Sequence, residues 1–172
     1  MKKDVAVIFG LFVIIIGLLV FGKGFTSAGL LTQNQATSGT QPTGVQQQKS
    51  VNVTIKGLSV ESAVAASPAE RKKGLSNRES IPISAGMIFV FEQPGPYAIW
   101  MKNMKFAIDI IWIDESKKIV DIATNVAPEP GKSDKDLTKY MPKSSSKYVL
   151  EVNAGLVDLH DIQIGDTVSF QI

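Results

Sequence analysis

An uncharged, strongly apolar run lies close to the N-terminus of this chain and limits the structures open to it. Residues 5–22 contain no charged side chain, and two lysines, Lys2 and Lys3, precede them. A run of this length reaches the lower limit for a helix that crosses a bilayer, which needs about 17–25 residues. Inside a membrane the backbone polar groups of such a run are satisfied only in a helix. Residues 5–22 therefore predict a single transmembrane helix that contacts the membrane.

The two lysines also predict the direction in which the chain crosses. Positively charged flanks stay in the cytoplasm, so we expect a single-pass protein of the cell membrane with a cytoplasmic N-terminus and an extracytoplasmic C-terminal domain. The alternative is secretion after cleavage near Ala28, since Thr26 and Ala28 occupy the two small positions of a cleavage site. The apolar run is longer than a signal core of about 7–15 residues, which favours an anchor at residues 1–28.

The segment after the anchor has the composition of a tether. Residues 29–50 are rich in Gln, Thr, Ser and Gly, and six of them are Gln. Such a segment does not bury enough apolar surface to offset the entropy that ordering would cost. We therefore expect residues 29–50 to be a disordered linker and residues 51–172 to be the folded domain.

The domain at 51–172 shows the short apolar runs that are typical of β-strands. Strands are predicted at 50–57, 58–65, 86–91, 97–101, 107–114, 118–123, 147–153 and 166–172. One short helix is predicted after Ser67, because Ser67 and Glu70 match a capping box and Gly74 suits the end of the helix. Seven or eight short strands with one short helix indicate an all-β barrel or sandwich.

Composition and motifs exclude several classes of function. The chain has no cysteine, which rules out disulfides, thiolate catalysis and cysteine-based zinc sites. A formal charge of +2 without a basic stripe predicts no nucleic-acid partner. Neither of the glycine-rich phosphate-binding motifs occurs, so we expect no nucleotide. The chain has a single histidine, His160, and we expect no metal site and no cofactor.

Six segments resemble, in their order and spacing, domain-of-unknown-function family 192, a group of small prokaryotic domains that are often exported or membrane-anchored. The segments are RKKGLSNR (71–78), GMIFVF (86–91), WMKNM (100–104), IDIIWID (108–114), YVLEVNAG (148–155) and IGDTV (164–168). The resemblance covers about residues 58–172 and implies an all-β, jelly-roll-like barrel. It implies no reaction, cofactor or catalytic residue. Ser76, Ile99 and Met104 depart from the Met, Phe and Thr that the family more often has, which affects packing beside the third segment.

The densest group of candidate binding residues is Trp100, Met101, Lys102 and Asn103. If the strand predicted here continues, side chains alternate, so Trp100 and Lys102 share one face and Met101 and Asn103 the other. An exposed Trp beside polar groups is a platform for a sugar or a peptide. The alternative is structural, with Trp100 in the core or as a lid and Asn103 turning the chain.

Two carboxylates on predicted strands are further candidates. Asp109 shares a strand face with apolar residues, so its carboxyl must be paired or hydrogen-bonded, or its pKa rises. We expect its partner to be Lys102, Arg71 or Arg78. Glu151 is predicted to point outward or into a polar pocket. Asp109 and Glu151 would form the two-carboxylate arrangement of a glycosidase if they shared one cleft.

These observations predict a membrane-tethered extracytoplasmic β domain that acts as a binding or interaction module for an envelope glycan, a peptide or a protein. The expected ligand-binding residues are Trp100, Lys102, Asn103, Asp109, Arg71 and Glu151, next to the long loop at 128–147. One alternative is a cell-envelope hydrolase that uses Asp109 and Glu151. Another is a structural subunit of a membrane-associated assembly.

Overall fold

The computed structural model describes residues 48–172. The predicted anchor at 1–28 lies outside the described residues, as does the predicted linker at 29–50 except for its last three residues. Between residues 48 and 172, the helices are too short and too polar to span a membrane.

The described residues form a mostly β domain with two short helices. The elements are β1 Ser50–Ile55, β2 Leu58–Ala65, α1 Pro68–Lys73, β3 Ala85–Gly95, β4 Ile108–Ile113, β5 Ile119–Val126, β6 Ser146–Asn153, α2 Leu156–Leu159 and β7 Val168–Ser169. The prediction of a β domain with seven or eight strands is confirmed. The capped helix is also found, and a second helical turn, α2, follows β6.

All seven strands belong to one curled sheet with the shape of a half-barrel. Its strand order is β5-β4-β6-β3-β2-β1-β7, and β2 and β3 form its one parallel pair. The two edges of the sheet meet at one end, where Lys118 and Thr167 form a bridge and the Val168 N–H donates to the Lys117 carbonyl at 2.9 Å. The described residues thus form a single sheet that curls towards closure, and not a sandwich of two sheets.

The inner face of the sheet carries an apolar core. Because side chains alternate along a strand, Ile88 of β3, Ile111 of β4 and Leu150 of β6 all point inward, and each is fully buried. Leu156 and Val157 of α2 belong to the same core. The helical turn that follows β6 therefore covers one part of the inner face.

The outer face is covered by two connections that cross the sheet. Parallel neighbours such as β2 and β3 need a crossover, and here it contains α1 and residues 74–84. Because β6 lies between β3 and β4, residues 96–107, which we call the crossing segment, must pass over β6. Leu75 of the first connection and Met101 of the crossing segment are buried in this outer core.

Helix α1 begins and ends as its sequence predicts. The Glu70 N–H donates to the Ser67 hydroxyl at 3.3 Å, and the Ser67 N–H donates to the Glu70 carboxylate at 2.8 Å. This reciprocal capping holds the pKa of Glu70 below its usual range, with the bond from the Ser67 N–H as the largest cause. The helix ends at Gly74, whose φ of 48° lies in the left-handed region.

The strand predicted at 97–101 is wrong. This part of the crossing segment makes a single bridge, between Ile99 and Tyr140, and then turns at Lys102 and Asn103. Asn103 has a φ of 53°, a conformation that Asn tolerates better than most residues. The segment is not a strand because β6 already pairs with both β3 and β4, so the chain passes above the sheet instead of joining it.

Candidate functional site

A pocket lies on the outer side of the sheet, between the end of α1 and the crossing segment. Its rim carries Arg71, Lys72 and Lys73 from α1, and its wall includes Trp100 and Met104 from the crossing segment. Its floor is formed in part by Glu151 of β6. Three of the six predicted ligand-binding residues, Arg71, Trp100 and Glu151, are therefore brought together here.

The strand register explains the surroundings of Glu151 on the floor. On the two neighbouring strands, Met87 of β3 and Ile110 of β4 stand directly opposite it. Both are apolar and fully buried. The Glu151 residue is itself 5% exposed, and within residues 48–172 no hydrogen bond or ion pair reaches its carboxyl group.

The carboxyl of Glu151 is protonated at neutral pH. Burial raises its pKa from 4.5 to about 8, and desolvation is the cause because no donor offsets the loss of water. A neutral carboxylic acid carries one O–H donor as well as acceptor capacity. The floor of the pocket therefore presents an uncharged group that is able to donate a hydrogen bond.

Arg71 is held in place at the rim by the protein itself. Its Nη1 donates to the Val90 carbonyl at 3.0 Å and to the Ala66 carbonyl, and its guanidinium lies 5.0 Å from the centre of the Phe91 ring. Phe91 in turn stacks on Tyr97 with ring centres 3.5 Å apart. Arg71 thus joins α1 to the middle of β3 while it adds positive charge to the rim.

Lys72 and Lys73 differ from Arg71 because they have no comparable structural contacts. Both side chains are exposed, and within the described residues neither makes an ion pair or a side-chain hydrogen bond. The prediction from sequence did not include them. Their signal is the run of three cations in the last turn of a capped helix, but this pattern is equally typical of a solvated helix end.

Two hydrogen bonds close the site above β6 by joining the connection after α1 to the crossing segment. The Ser76 hydroxyl donates to the Lys102 carbonyl at 2.7 Å, and the Asn77 N–H donates to the Asn103 carbonyl at 2.9 Å. These bonds fix the segment that carries Trp100, whose residue remains 41% exposed. Lys102 and Asn103 therefore contribute to the site through their backbone carbonyls, which hold the crossing segment in position.

The side chains of Lys102 and Asn103 do not line the pocket. The Lys102 ammonium forms an ion pair with Asp134, in the long loop at 128–147. The loop is attached to the crossing segment a second time by paired backbone hydrogen bonds of 2.8 and 2.9 Å between Ile99 and Tyr140. The expectation that Trp100 and Lys102 form one binding face is thus not met. The chain turns at Lys102 and Asn103, so Trp100 lines the pocket while the Lys102 side chain contacts the long loop.

The long loop at 128–147 is also organised internally. The Glu129 carboxylate accepts hydrogen bonds from the Thr138 N–H at 2.9 Å and the Thr138 hydroxyl at 2.8 Å, and it is paired with Lys132. The contact with Lys132, followed by those with Thr138, lowers the pKa of Glu129 to about 2. This loop is therefore an ordered structure that supports the crossing segment.

Asp109 has a structural environment that the sequence did not predict. Its carboxylate is fully buried and accepts the Asn125 N–H at 2.8 Å and the Val157 N–H at 2.9 Å. The expected partners Lys102, Arg71 and Arg78 are wrong. Backbone amides of β5 and α2 satisfy the charge, so Asp109 joins three elements on the inner side of the sheet.

Asp109 and Glu151 lie on opposite faces of the sheet. Asp109 stands opposite Val152 in the register of β4 and β6, whereas Glu151 stands opposite Ile110. Because neighbouring residues of a strand point to opposite faces, one carboxyl points into the curl and the other away from it. The arrangement of two carboxylates in one cleft is therefore not formed by this pair.

The described residues also contain no cluster suited to a metal ion. Within 48–172, no group of three or more His, Cys, Asp and Glu side chains lies close enough to hold one. The chemistry that the pocket itself offers is limited to hydrogen bonding at its floor, positive charge at its rim and an aromatic surface at its side.

The fold and the pocket define a small, curled β-sheet domain with a partly open pocket on its outer face. The model of the family DUF192, described as uncharacterized ACR, matches residues 51–170. The chain belongs to this family, as the six sequence segments predict.

Curated relatives match over part of their length. A UPF0127 protein of Thermococcus sibiricus is 26% identical over 103 residues, which is 60% of this chain and 61% of that protein. A UPF0127 protein of Thermococcus gammatolerans is 32% identical over 75 residues, 44% of this chain and 43% of that protein. The chain thus matches less than two thirds of either relative.

Two solved structures share the fold. A protein of unknown function from Novosphingobium aromaticivorans has a TM-score of 0.65 and 29% identity, covering 80% of this chain and 99% of that chain. A protein from Sinorhizobium meliloti, named a "putative transcription regulator", has a TM-score of 0.60 and 26% identity over 70% of this chain and 92% of that chain. These names describe those proteins.

Proposed function

We propose that this chain is a membrane-tethered extracytoplasmic protein whose β domain binds a ligand in the pocket above Glu151. The observation that carries the proposal is a buried carboxyl group that faces a pocket and has no donor or acceptor partner among the described residues. Buried polar groups are nearly always hydrogen-bonded, and this carboxyl belongs to a residue that is 5% exposed and lines the pocket, which indicates a place where a ligand supplies the missing partner.

The rest of the pocket supports binding more than structural packing. A ligand site combines an apolar or aromatic surface with a few polar groups that fix orientation. Trp100 supplies the aromatic surface, and the cations of α1 supply the polar rim. Three of the segments that resemble the family, those at 71–78, 100–104 and 148–155, contribute these residues.

The hydrolase alternative has less support from this geometry. A glycosidase needs two carboxyl groups flanking the bond that is broken. Among the described residues that line the pocket, Glu151 is the one acidic side chain. Asp109, the second carboxylate that the sequence suggested, is committed to two backbone amides on the other face.

The membrane part of the proposal rests on the apolar run at 5–22 and the Gln-rich linker at 29–50. Protease added to intact cells should digest the β domain from outside while the N-terminus stays protected. If the domain resists protease until the cells are lysed, the extracytoplasmic placement is wrong.

The binding site itself is tested by a fragment screen on the full-length chain in nanodiscs, with saturation-transfer NMR as the readout. We expect fragments whose signal is lost in Trp100→Ala and Glu151→Leu. Leu159→Ala removes another exposed apolar side chain, 75% exposed and not part of the pocket lining, and serves as the matched control. Equal binding to all four proteins would reject the proposed site.

A further inference from the structure

We infer that the group bound on the floor of this pocket is a carboxylate, carried by an apolar or aromatic body that lies against Trp100. The inference rests on the proposed function and names the ligand chemistry of the same site. Three properties of the pocket lead to it: its size, the positive charge of its rim and the hydrogen-bonding capacity of its floor.

The size of the pocket limits what reaches Glu151. Its cavity volume is about 40 Å³. One ordered water needs at least roughly 10–15 Å³ of such volume, and a water in the liquid occupies about 30 Å³, so the floor admits only a group of a few heavy atoms. A carboxylate, with one carbon and two oxygens, matches that size, whereas a whole sugar or aromatic ring does not. The body of the ligand must therefore remain at the mouth of the pocket.

The charge of the pocket favours an anion. Arg71, Lys72 and Lys73 are all positive at neutral pH, and Glu151 is neutral because burial raises its pKa to about 8. The pocket therefore has a positive charge that no acidic side chain of its lining balances. An anionic group gains from this field, and a cationic group is repelled by it.

The floor of the pocket selects a group that accepts a hydrogen bond. The protonated Glu151 carboxyl donates one O–H, and a ligand carboxylate accepts it in a charge-assisted bond, which is among the stronger hydrogen bonds of proteins. The groups that face Glu151 from the packed elements are as follows: Met87 and Phe89 of β3, Ile110 of β4, Val149 of β6, Ile99, Trp100 and Met104 of the crossing segment, and Arg71, Lys72 and Lys73 of α1. The three cations are the charged members of this set.

The mouth of the pocket supplies a surface for the ligand's body. Trp100 is 41% exposed, although most large apolar side chains of the domain are buried. Two hydrogen bonds accepted by backbone carbonyls of the crossing segment hold it in place. A rigid aromatic surface beside a polar pocket suits an apolar or aromatic group that is attached to the carboxylate through one or two atoms.

The test is a matched series of small probes titrated into the full-length chain by isothermal calorimetry. Phenylacetate carries the carboxylate, phenylacetamide has the same shape without charge, and 2-phenylethylamine carries a cation. We expect phenylacetate to bind at least tenfold more tightly than either of the others. Benzylphosphonate tests whether a larger anion fits, and we expect weaker binding because its third oxygen exceeds the volume of the floor.

The source of the carboxylate is distinguished by a fifth probe. N-acetylphenylalanine carries the carboxylate of a peptide C-terminus, whereas phenylacetate represents a free small acid. The inference is supported if either acid binds and phenylacetamide does not. The acid that binds more tightly identifies the source of the carboxylate.

Variants separate the role of the acid from that of the charge. In Glu151→Gln an amide N–H replaces the O–H donor, so phenylacetate should bind within about threefold of the wild type at pH 7. The wild type should lose about tenfold in affinity between pH 7 and pH 9, because ionised Glu151 repels the ligand. Glu151→Gln should change by less than twofold over the same range.

The cations of the rim are tested with a pair of variants of equal charge. Lys72→Gln/Lys73→Gln should weaken phenylacetate binding about three- to tenfold. Lys135→Gln/Lys139→Gln, in the exposed loop and outside the pocket lining, removes the same charge and should weaken it less than twofold.

The outcomes separate failure of the inference from failure of the proposed function. If phenylacetamide or 2-phenylethylamine binds as tightly as phenylacetate, or if Glu151→Gln abolishes binding, the carboxylate assignment is wrong while the pocket remains a binding site. If no probe binds and the fragment screen finds no ligand that Trp100→Ala and Glu151→Leu lose, both are wrong.

Discussion

Asp109 and Glu151 are two buried acidic residues on neighbouring strands of one sheet, and their surroundings are opposite. Asp109, on the inner side, accepts hydrogen bonds from two backbone amides. Glu151, on the outer side, faces apolar neighbours and a pocket, and burial alone raises its pKa. Both residues are acidic and buried, and they differ in whether hydrogen-bond donors of the protein lie next to the carboxyl group.

The comparison shows how a structural carboxylate is distinguished from a binding one. A carboxylate that backbone amides satisfy stabilises the fold and has no need of a ligand. A carboxyl that lacks donors costs the protein free energy, and it is useful where a pocket admits a partner. Ser62 is a third case, because its hydroxyl is buried without a partner but it does not line the pocket.

The largest expected effect on stability is at Asp109. Asp109→Asn leaves one acceptor oxygen and turns an NH₂ group towards the second backbone amide. We expect a loss of about 3–5 kcal/mol in the free energy of unfolding, since two hydrogen bonds to a buried charge are affected. Urea unfolding at pH 7, followed by the fluorescence of the buried Trp112, measures it. A loss below about 1 kcal/mol would remove the distinction between the two carboxyls.

A smaller effect, which depends on pH, is expected at Glu151. Its pKa is raised from 4.5 to about 8 in the folded protein, so the folded state keeps a proton that the unfolded state has lost across this window. The stability of the wild type therefore falls as pH rises from about 5 to 8, and Glu151→Gln removes that fall. We expect the free energy of unfolding of Glu151→Gln, relative to that of the wild type, to increase by about 2–4 kcal/mol between pH 5 and pH 8.

The control for this measurement is Glu70, another glutamate, which has a lowered pKa. Because Glu70→Gln alters a carboxylate that is ionised throughout the window, its stability relative to the wild type should stay constant between pH 6 and pH 8. If Glu151→Gln behaves in the same way, Glu151 has a donor that neutralises the effect of burial.

Ser62 tests whether a buried polar group without a pocket is simply a cost. Ser62→Ala removes a hydroxyl that has no partner and leaves an apolar side chain in the same space, so we expect stability to increase by about 1–2 kcal/mol. Phenylacetate binding should not change. A decrease in stability on thermal unfolding would mean that the hydroxyl has a partner, such as a buried water.

The smallest effect is expected at the rim of the pocket. Lys72→Gln/Lys73→Gln should change the free energy of unfolding by less than about 0.5 kcal/mol, because both side chains are exposed and without ion pairs in the described residues. A larger loss would place these lysines in the structural group with Asp109. The measurement therefore decides whether the rim serves binding or folding.

Local elements of the fold could be predicted because their signals lie within a few residues of one another. The capping box at Ser67 and Glu70 predicts α1, and the alternation of apolar residues predicts β2 at Leu58–Ala65. The hairpin of β4 and β5 follows from two apolar runs joined by a short turn. In each case the deciding interactions are local, so the sequence shows them directly.

The candidate site could be predicted only in part. Arg71, Trp100 and Glu151 were selected by residue type, and the structure brings them together. Lys102, Asn103 and Asp109 were selected for the same reason, but their side chains have other surroundings. The error at 97–101 came from the strand order, since a segment that looks like a strand has no free neighbour to pair with where it crosses β6.

The family, the mostly β character of the domain, the capped helix and the residue types from which a site is built all follow from patterns along the chain. The apolar run at 5–22 also predicts a membrane anchor, and the composition of 29–50 predicts a linker; the anchor and all but the last three linker residues lie outside the described residues. Which carboxyl is hydrogen-bonded and which faces a pocket depends instead on contacts between residues that are distant in the chain. The physical reason is that the partners of Asp109 are backbone amides at 125 and 157, and the surroundings of Glu151 come from β3, β4, α1 and the crossing segment. Such long-range neighbours follow from strand order and register, which no local pattern specifies.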